Sequence, residues 1–161
     1  MPQVSTVPPE ALPQIPSALQ VEHRVIHEAL LRATKAPGDI GTAARELAGA
    51  LHDHFVREEE IALPPLGLLA ALARGEFTPE MRAVLPMTEA LRAELPRMLD
   101  EHQAIHAATR RLGEVARKAG NAEVQQLAEA LALHAQSEEE VFYPAALLVG
   151  EVVESRSQAH G

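Results

Sequence analysis

Apolar residues recur at alternating steps of three and four along four stretches of the chain, the spacing of amphipathic helices that bury one stripe each. The first stripe reads Leu19, His23, Ile26, Leu30, and the second Leu47, Leu51, His54, Glu58, Ile61. The third reads Met98, His102, Ile105, Thr109, Leu112, and the fourth Leu127, Leu131, His134, Glu138, Val141, Ala145, Leu148. Each apolar stripe is therefore interrupted by a histidine, and two of them by a glutamate as well.

Punctuation along the chain sets the expected ends. Ser17, with Gln20 three residues on, reads as a capping box opening the first helix, which stops before Pro37-Gly38. The second helix is expected from Asp39 or Thr42 to Leu63, where Pro64-Pro65 stops or kinks it, with a short continuation to Arg74. Residues 75–78 read as a loop. Pro86 and Pro96 interrupt the next helical pattern, which places a short connecting helix ahead of a third helix over 96–118. Gly120-Asn121 supplies a stop and an N-cap, so the fourth helix spans 122–149. The expected architecture is all-α, an antiparallel up-and-down four-helix bundle over 17–149. Residues 1–16, with five prolines, are expected to form a disordered arm, and 150–161 a frayed tail.

The chain also repeats itself. His54, Glu58-Glu59-Glu60 and Pro64 recur at the same spacing as His134, Glu138-Glu139-Glu140 and Pro144. Likewise Glu22-His23, Ile26 and His27 recur as Glu101-His102, Ile105 and His106. Two similar helical hairpins would pack with pseudo-twofold symmetry, each giving the core the same polar residues.

Composition narrows the chemistry. The chain has 161 residues, 47% of them hydrophobic, which suits one domain with one core. Aromatics are only 2%, so that core is aliphatic. There is no cysteine, hence no disulfide, thiolate site or cysteine nucleophile. A net charge of −9 argues against nucleic-acid and anionic-membrane partners, which need a concentrated basic surface. The opening residues lack the basic and apolar regions of a signal peptide, and no apolar run is long enough to span a bilayer, so a cytoplasmic protein is expected.

Residues four apart share a helix face, so His54 with Glu58, and His134 with Glu138, each present a nitrogen and a carboxylate to one point. The first and third helices add His23 and His102. Burying six such groups without partners would cost several kcal/mol each, against a total stability of roughly 5–15 kcal/mol. Direct bonding to a metal removes that cost. Nitrogen and oxygen donors without thiolate suit iron, manganese or zinc, and two bridging carboxylates suit a pair of ions. A single core histidine is usually just hydrogen-bonded; the repeat is what favours metal.

The Glu-His pair opening each hairpin and the H-x-x-x-E-E-x-x-x-x-P segments, His54 to Pro64 and His134 to Pro144, resemble the hemerythrin-like family with its HHE cation-binding repeats. Ferritin-like bundles use E-x-x-H pairs, of which this sequence has none. The resemblance implies a hemerythrin-like bundle with a non-haem di-iron centre, bridged by Glu58, Glu138 and an oxo or hydroxo group. Two histidines, two carboxylate oxygens and a bridge leave each iron one vacant position, where dioxygen, nitric oxide or peroxide would bind. The oxygen carriers of the family resemble this chain in their third-helix H-x-x-x-H, here His102 and His106, so His106 joins His23, His54, Glu58, His102, His134 and Glu138 in the expected ligand set. His23 and His27 repeat that spacing in the first helix, and if both extra histidines bound, both irons would be saturated. The helix-four pair His134-x-x-x-Glu138 departs from the carriers and is similar to the iron-centre repair branch, whose cysteine-bearing domain is missing here.

The expected function is thus binding of dioxygen or nitric oxide for carriage, storage or sensing. The alternative is iron management or redox chemistry, either repair of iron centres or reduction of nitric oxide or peroxide. Tyr143, five residues after Glu138, is expected to point off the ligand direction and serve packing. Phe55 and Phe142 could shield the site or simply fill the core. Glu59 and Glu139 could orient ligand histidines. His52 and His160 are expected at the surface.

Overall fold

The computed structural model describes residues 13–161; the arm expected over 1–16 lies outside the described residues except for its last four. Of those four, Ile15 packs against the cluster formed by Ile61, Leu63, Leu66, Leu91 and Tyr143, so this end of the expected arm lies on the bundle.

The helices are α1 (Ser17–Thr34), α2 (Gly38–Ile61), the short α3 (Leu69–Ala73), α4 (Leu85–Lys118), α5 (Ala122–Ser137) and α6 (Tyr143–Ala159). A π-helical turn, Glu138–Phe142, joins α5 to α6 into one rod. Contacts run α1 to α2, α2 to α4, α4 to α5 and α5 back to α1, which closes a four-helix ring of two hairpins. Pro64–Leu68 and Pro79–Val84 form 3₁₀ turns that carry the chain from the first hairpin to the second. No strand occurs among the described residues.

Local chemistry accounts for most ends. After α4 the chain turns at Gly120, whose φ of 67° suits glycine. There Asn121 N–H donates to Ala116 O and Gly120 N–H to Arg117 O. Asn121 then caps α5, its Oδ1 accepting from Val124 N–H at 3.1 Å. At α1 the structure corrects the expected capping box. Pro16 holds the N-cap position and no side chain caps the end, so Ser17 is already helical.

Three further expectations are corrected. Pro96 does not begin a helix; α4 runs through it from Leu85. The ring sits on the exposed face, where the Arg92 carbonyl it leaves unpaired can meet water. Residues 150–161 do not fray at Gly150, since α6 continues to Ala159 with Val149 and Val153 buried against Leu68, Leu72, Met81 and Val84. Finally, the stripe expected beyond Glu138 is out of register. Val141 and Leu148 are 55% and 59% exposed, while Tyr143, Ala146, Val149 and Val153 are buried in their place.

The π turn causes that shift. Tyr143 N–H donates to Glu138 O, five residues back, and Pro144 follows with no N–H to donate. The same event occurs at the matching place in the first hairpin, where Leu63 N–H reaches Glu58 O at 2.9 Å just before Pro64. Two successive prolines end α2 there, whereas the single Pro144 lets the second rod resume one residue out of phase.

Close approach of α6 to α4 fixes the resumed helix. A Cβ on Gly150 would lie 2.4 Å from Thr88 Oγ1 and 2.8 Å from Thr88 Cβ, and Thr88 is buried. Gly150→Ala is therefore expected to destabilise the protein by about 1–3 kcal/mol, seen as a lowered Tm in thermal melts. An unchanged melt would mean that the two helices can separate without cost.

Candidate metal centre

Each hairpin sends one histidine from its first helix and a His/Glu pair from its second into the middle of the bundle. His23, His54, His102, His134, Glu58 and Glu138 are all buried, both glutamates at 1% exposure or less. Their donor atoms form two groups, each with atoms within 4.8 Å of one another: His23, His134, Glu58 and Glu138, and His54, His102, Glu58 and Glu138. Both carboxylates belong to both groups.

The carboxylates divide their oxygens between the groups. Glu58 turns Oε1 to His54 Nε2 at 3.0 Å and to His102 Nε2 at 3.8 Å, and Oε2 to His23 Nε2 at 3.8 Å. Glu138 turns Oε2 to His102 Nε2 at 3.2 Å, and Oε1 to His134 Nε2 at 2.5 Å and His23 Nε2 at 3.6 Å. One oxygen per group from each carboxylate is the arrangement of a bridge between two cations.

The outer ring nitrogens are fixed by a second set of carboxylates. His23 Nδ1 meets Glu59 at 3.3 Å, His102 Nδ1 meets Glu139 at 2.8 Å, His54 Nδ1 meets Glu101 at 2.8 Å and His134 Nδ1 meets Glu22 at 2.9 Å. These partners obey the sequence repeat, Glu22 matching Glu101 and Glu59 matching Glu139. An Nδ1–H donated to a carboxylate leaves Nε2 with its lone pair pointing inward, the tautomer a metal-binding histidine needs. Glu59 and Glu139 were open between this role and the surface in the sequence; Glu22 and Glu101 were missed, although the repeated Glu-His pair was their signal.

Without a cation the centre is not self-consistent. The inward nitrogens face one another, His23 to His134 at 3.0 Å and His54 to His102 at 2.8 Å, which lone pairs tolerate only with a proton between them. Glu58 Oε2 and Glu138 Oε1 accept no hydrogen bond, although His134 Nε2 lies 2.5 Å from the latter. Such buried acceptors cost about 1–3 kcal/mol each or more when charged. Protons take the place of a cation in part. Burial alone would lower the His102 and His134 pKa values, but the carboxylate of Glu138, with that of Glu58 or Glu22, outweighs it and raises them to about 10 and about 9. Burial would raise Glu138, but the imidazoles of His102, His134 and His23 close against its oxygens hold it well below the carboxylate range. Nitrogen and oxygen donors, orphaned oxygens and opposed lone pairs all fit metal ions between the two pairs.

His106 is not brought into either four-residue group. Its Nε2 lies 2.9 Å from Glu139 Oε1, the oxygen that also meets His102 Nδ1, so it braces the carboxylate supporting His102. His102, His106 and Glu139 form a third, partly exposed cluster. His27 is exposed on the wall of a 590 Å³ groove between α1 and α2, which His23, Phe55 and Glu59 also line. Phe55 stacks on His23, with ring centroids 4.6 Å apart, and covers the His23–His134 side; Phe142 packs around Tyr143 instead. His52 and His160 are at the surface.

Tyr143 corrects its expectation outright. The π turn swings it onto the ligand face, where the ring is buried and its hydroxyl donates to Glu58 Oε1. The Tyr143 hydroxyl oxygen is also 3.1 Å from His102 Nε2, 3.3 Å from His54 Nε2 and 3.4 Å from Glu138 Oε2. Nothing in a uniform helical period signals this; Pro144 was the only hint.

Among the described residues no helix is long and apolar enough to cross a membrane. Nothing among curated proteins or solved structures matches the chain significantly. The hemerythrin HHE cation binding domain, however, matches residues 14–146. With that match over most of its length and a His/Glu cluster that fits a metal site, the chain belongs to the hemerythrin HHE cation-binding family and is a metal-binding protein.

Proposed function

We propose that the chain holds two iron ions, one between His23 and His134 and one between His54 and His102, bridged by Glu58 and Glu138, and that an open iron position binds dioxygen or nitric oxide for carriage, storage or sensing. The observation that carries this reading is the split of each buried carboxylate, one oxygen toward each histidine pair. Two cations bridged in this way satisfy every inward donor, whereas a single ion would leave one histidine pair opposed. When bound, iron supplies the redox-active, ligand-accepting centre.

The chain's own residues do the rest. Four outer carboxylates hold the imidazoles in one tautomer, and His106 steadies Glu139 from the side. Phe55 and the aliphatic core around Leu47, Leu51, Leu127 and Leu131 keep bulk water from the centre. The groove along α1 and α2 reaches His23 and Phe55, which supports entry of a small ligand from that side.

Exposing reduced, iron-loaded protein to dioxygen, and separately to nitric oxide, tests the function. A new visible absorption that disappears when the gas is removed is the expected result. Rapid irreversible oxidation, or release of iron, would instead favour iron management or redox turnover.

A further inference from the structure

The ligand sets of the two cation positions are related by the repeat. Four histidines, two shared carboxylates and four outer carboxylates all have a partner in the other hairpin, whereas the residue that matches Tyr143 is Leu63, an apolar side chain buried in the core. The π turn brings the Tyr143 hydroxyl among the donors of one group alone, in contact with His54, His102, Glu58 and Glu138. No contact joins it to His23 or His134. A phenol with four ligand atoms of one metal position around its oxygen is placed as a donor to that position.

We propose that Tyr143 is a fifth protein donor to the ion held by His54, His102, Glu58 and Glu138, which makes the centre asymmetric and leaves the His23–His134 position as the one open to an external ligand. The inference rests on the dinuclear reading above. On coordination the oxygen–metal bond replaces the hydrogen bond to Glu58, and the phenol proton leaves to solvent. Glu58 Oε1 then becomes free to bond the same ion. The open position falls on the side of Phe55 and the α1–α2 groove, so the groove and the vacancy coincide.

The test is resonance Raman and visible spectroscopy of the full chain loaded with iron and oxidised. Wild-type protein is expected to show a phenolate-to-iron(III) charge-transfer band and the ring modes of a coordinated tyrosinate, and Tyr143→Phe protein loaded in the same way should lack both. A tyrosine that served packing alone would alter stability but give no such modes. Wild-type protein that holds about two iron ions per chain without tyrosinate modes would overturn the assignment and leave the dinuclear reading standing. Modes that persist in Tyr143→Phe would overturn it too. Protein that takes up no iron would remove both. The wild-type spectrum decides the matter even if the variant folds poorly.

Discussion

Replacing Glu138 by alanine is expected to empty both cation positions at once. Each position draws one of its oxygens, so the loss is shared, whereas His54→Ala should impair the His54–His102 position first. Metal bound only by folded protein stabilises it by about 4 kcal/mol when present at about 1,000 times its dissociation constant. For a chain of this size that is roughly 8–16 °C of Tm. Glu138→Ala should forfeit that increment, with iron content falling to near zero and the melting curve becoming insensitive to added iron. The metal-free proteins should differ far less, since there the same substitution also removes a buried carboxylate with an orphaned oxygen. Equal losses of Tm with and without metal would mean that Glu138 serves the fold rather than a cation. The matching Glu58→Ala should behave in the same way.

The second large effect is expected from residues that touch no metal. Glu101 accepts from His54 Nδ1 through one oxygen while Arg97 Nε donates to the other at 3.0 Å, so its orientation is held from both sides. Burial would raise its pKa, but those hydrogen bonds win and lower it, which keeps the acceptor ionised. Glu22 holds His134 from the opposite hairpin. Removing such outer partners typically costs 10–100-fold in metal affinity, so Glu22→Ala and Glu101→Ala should each weaken iron binding by about one to two orders of magnitude in competition titrations with a chelator. The double variant should lose more than either. Affinity unchanged in both would show that the ring tautomers are set without them.

Much of this was written in the spacing of the chain. Period and punctuation predict the four helices, and six of the seven expected metal residues converge because His/Glu pairs four apart must share a face. His106 does not join them; it lies one position beyond Ile105, on the flank of its stripe, and finds Glu139 there. The displaced stripe and the misplaced Tyr143 share a cause. A uniform helical period assumes an unbroken hydrogen-bond ladder, and the π turn before Pro144, four residues after the last of the three glutamates, breaks it, so the expected stripe beyond Glu138 falls out of register. Tyr143 enters the centre for that reason alone. The opposite error occurred at Pro96, where a proline on the solvent face leaves the helix intact. Continuation of α6 depended on partners far away in sequence, among them Leu68 and Val84, which no local pattern reveals.

Anaerobic titration of the metal-free protein with iron(II), followed by elemental analysis, tests the central claim most directly. Bridging by Glu58 and Glu138 predicts a breakpoint at about two iron ions per chain. A breakpoint at one, or a folded protein that takes up none, would contradict it.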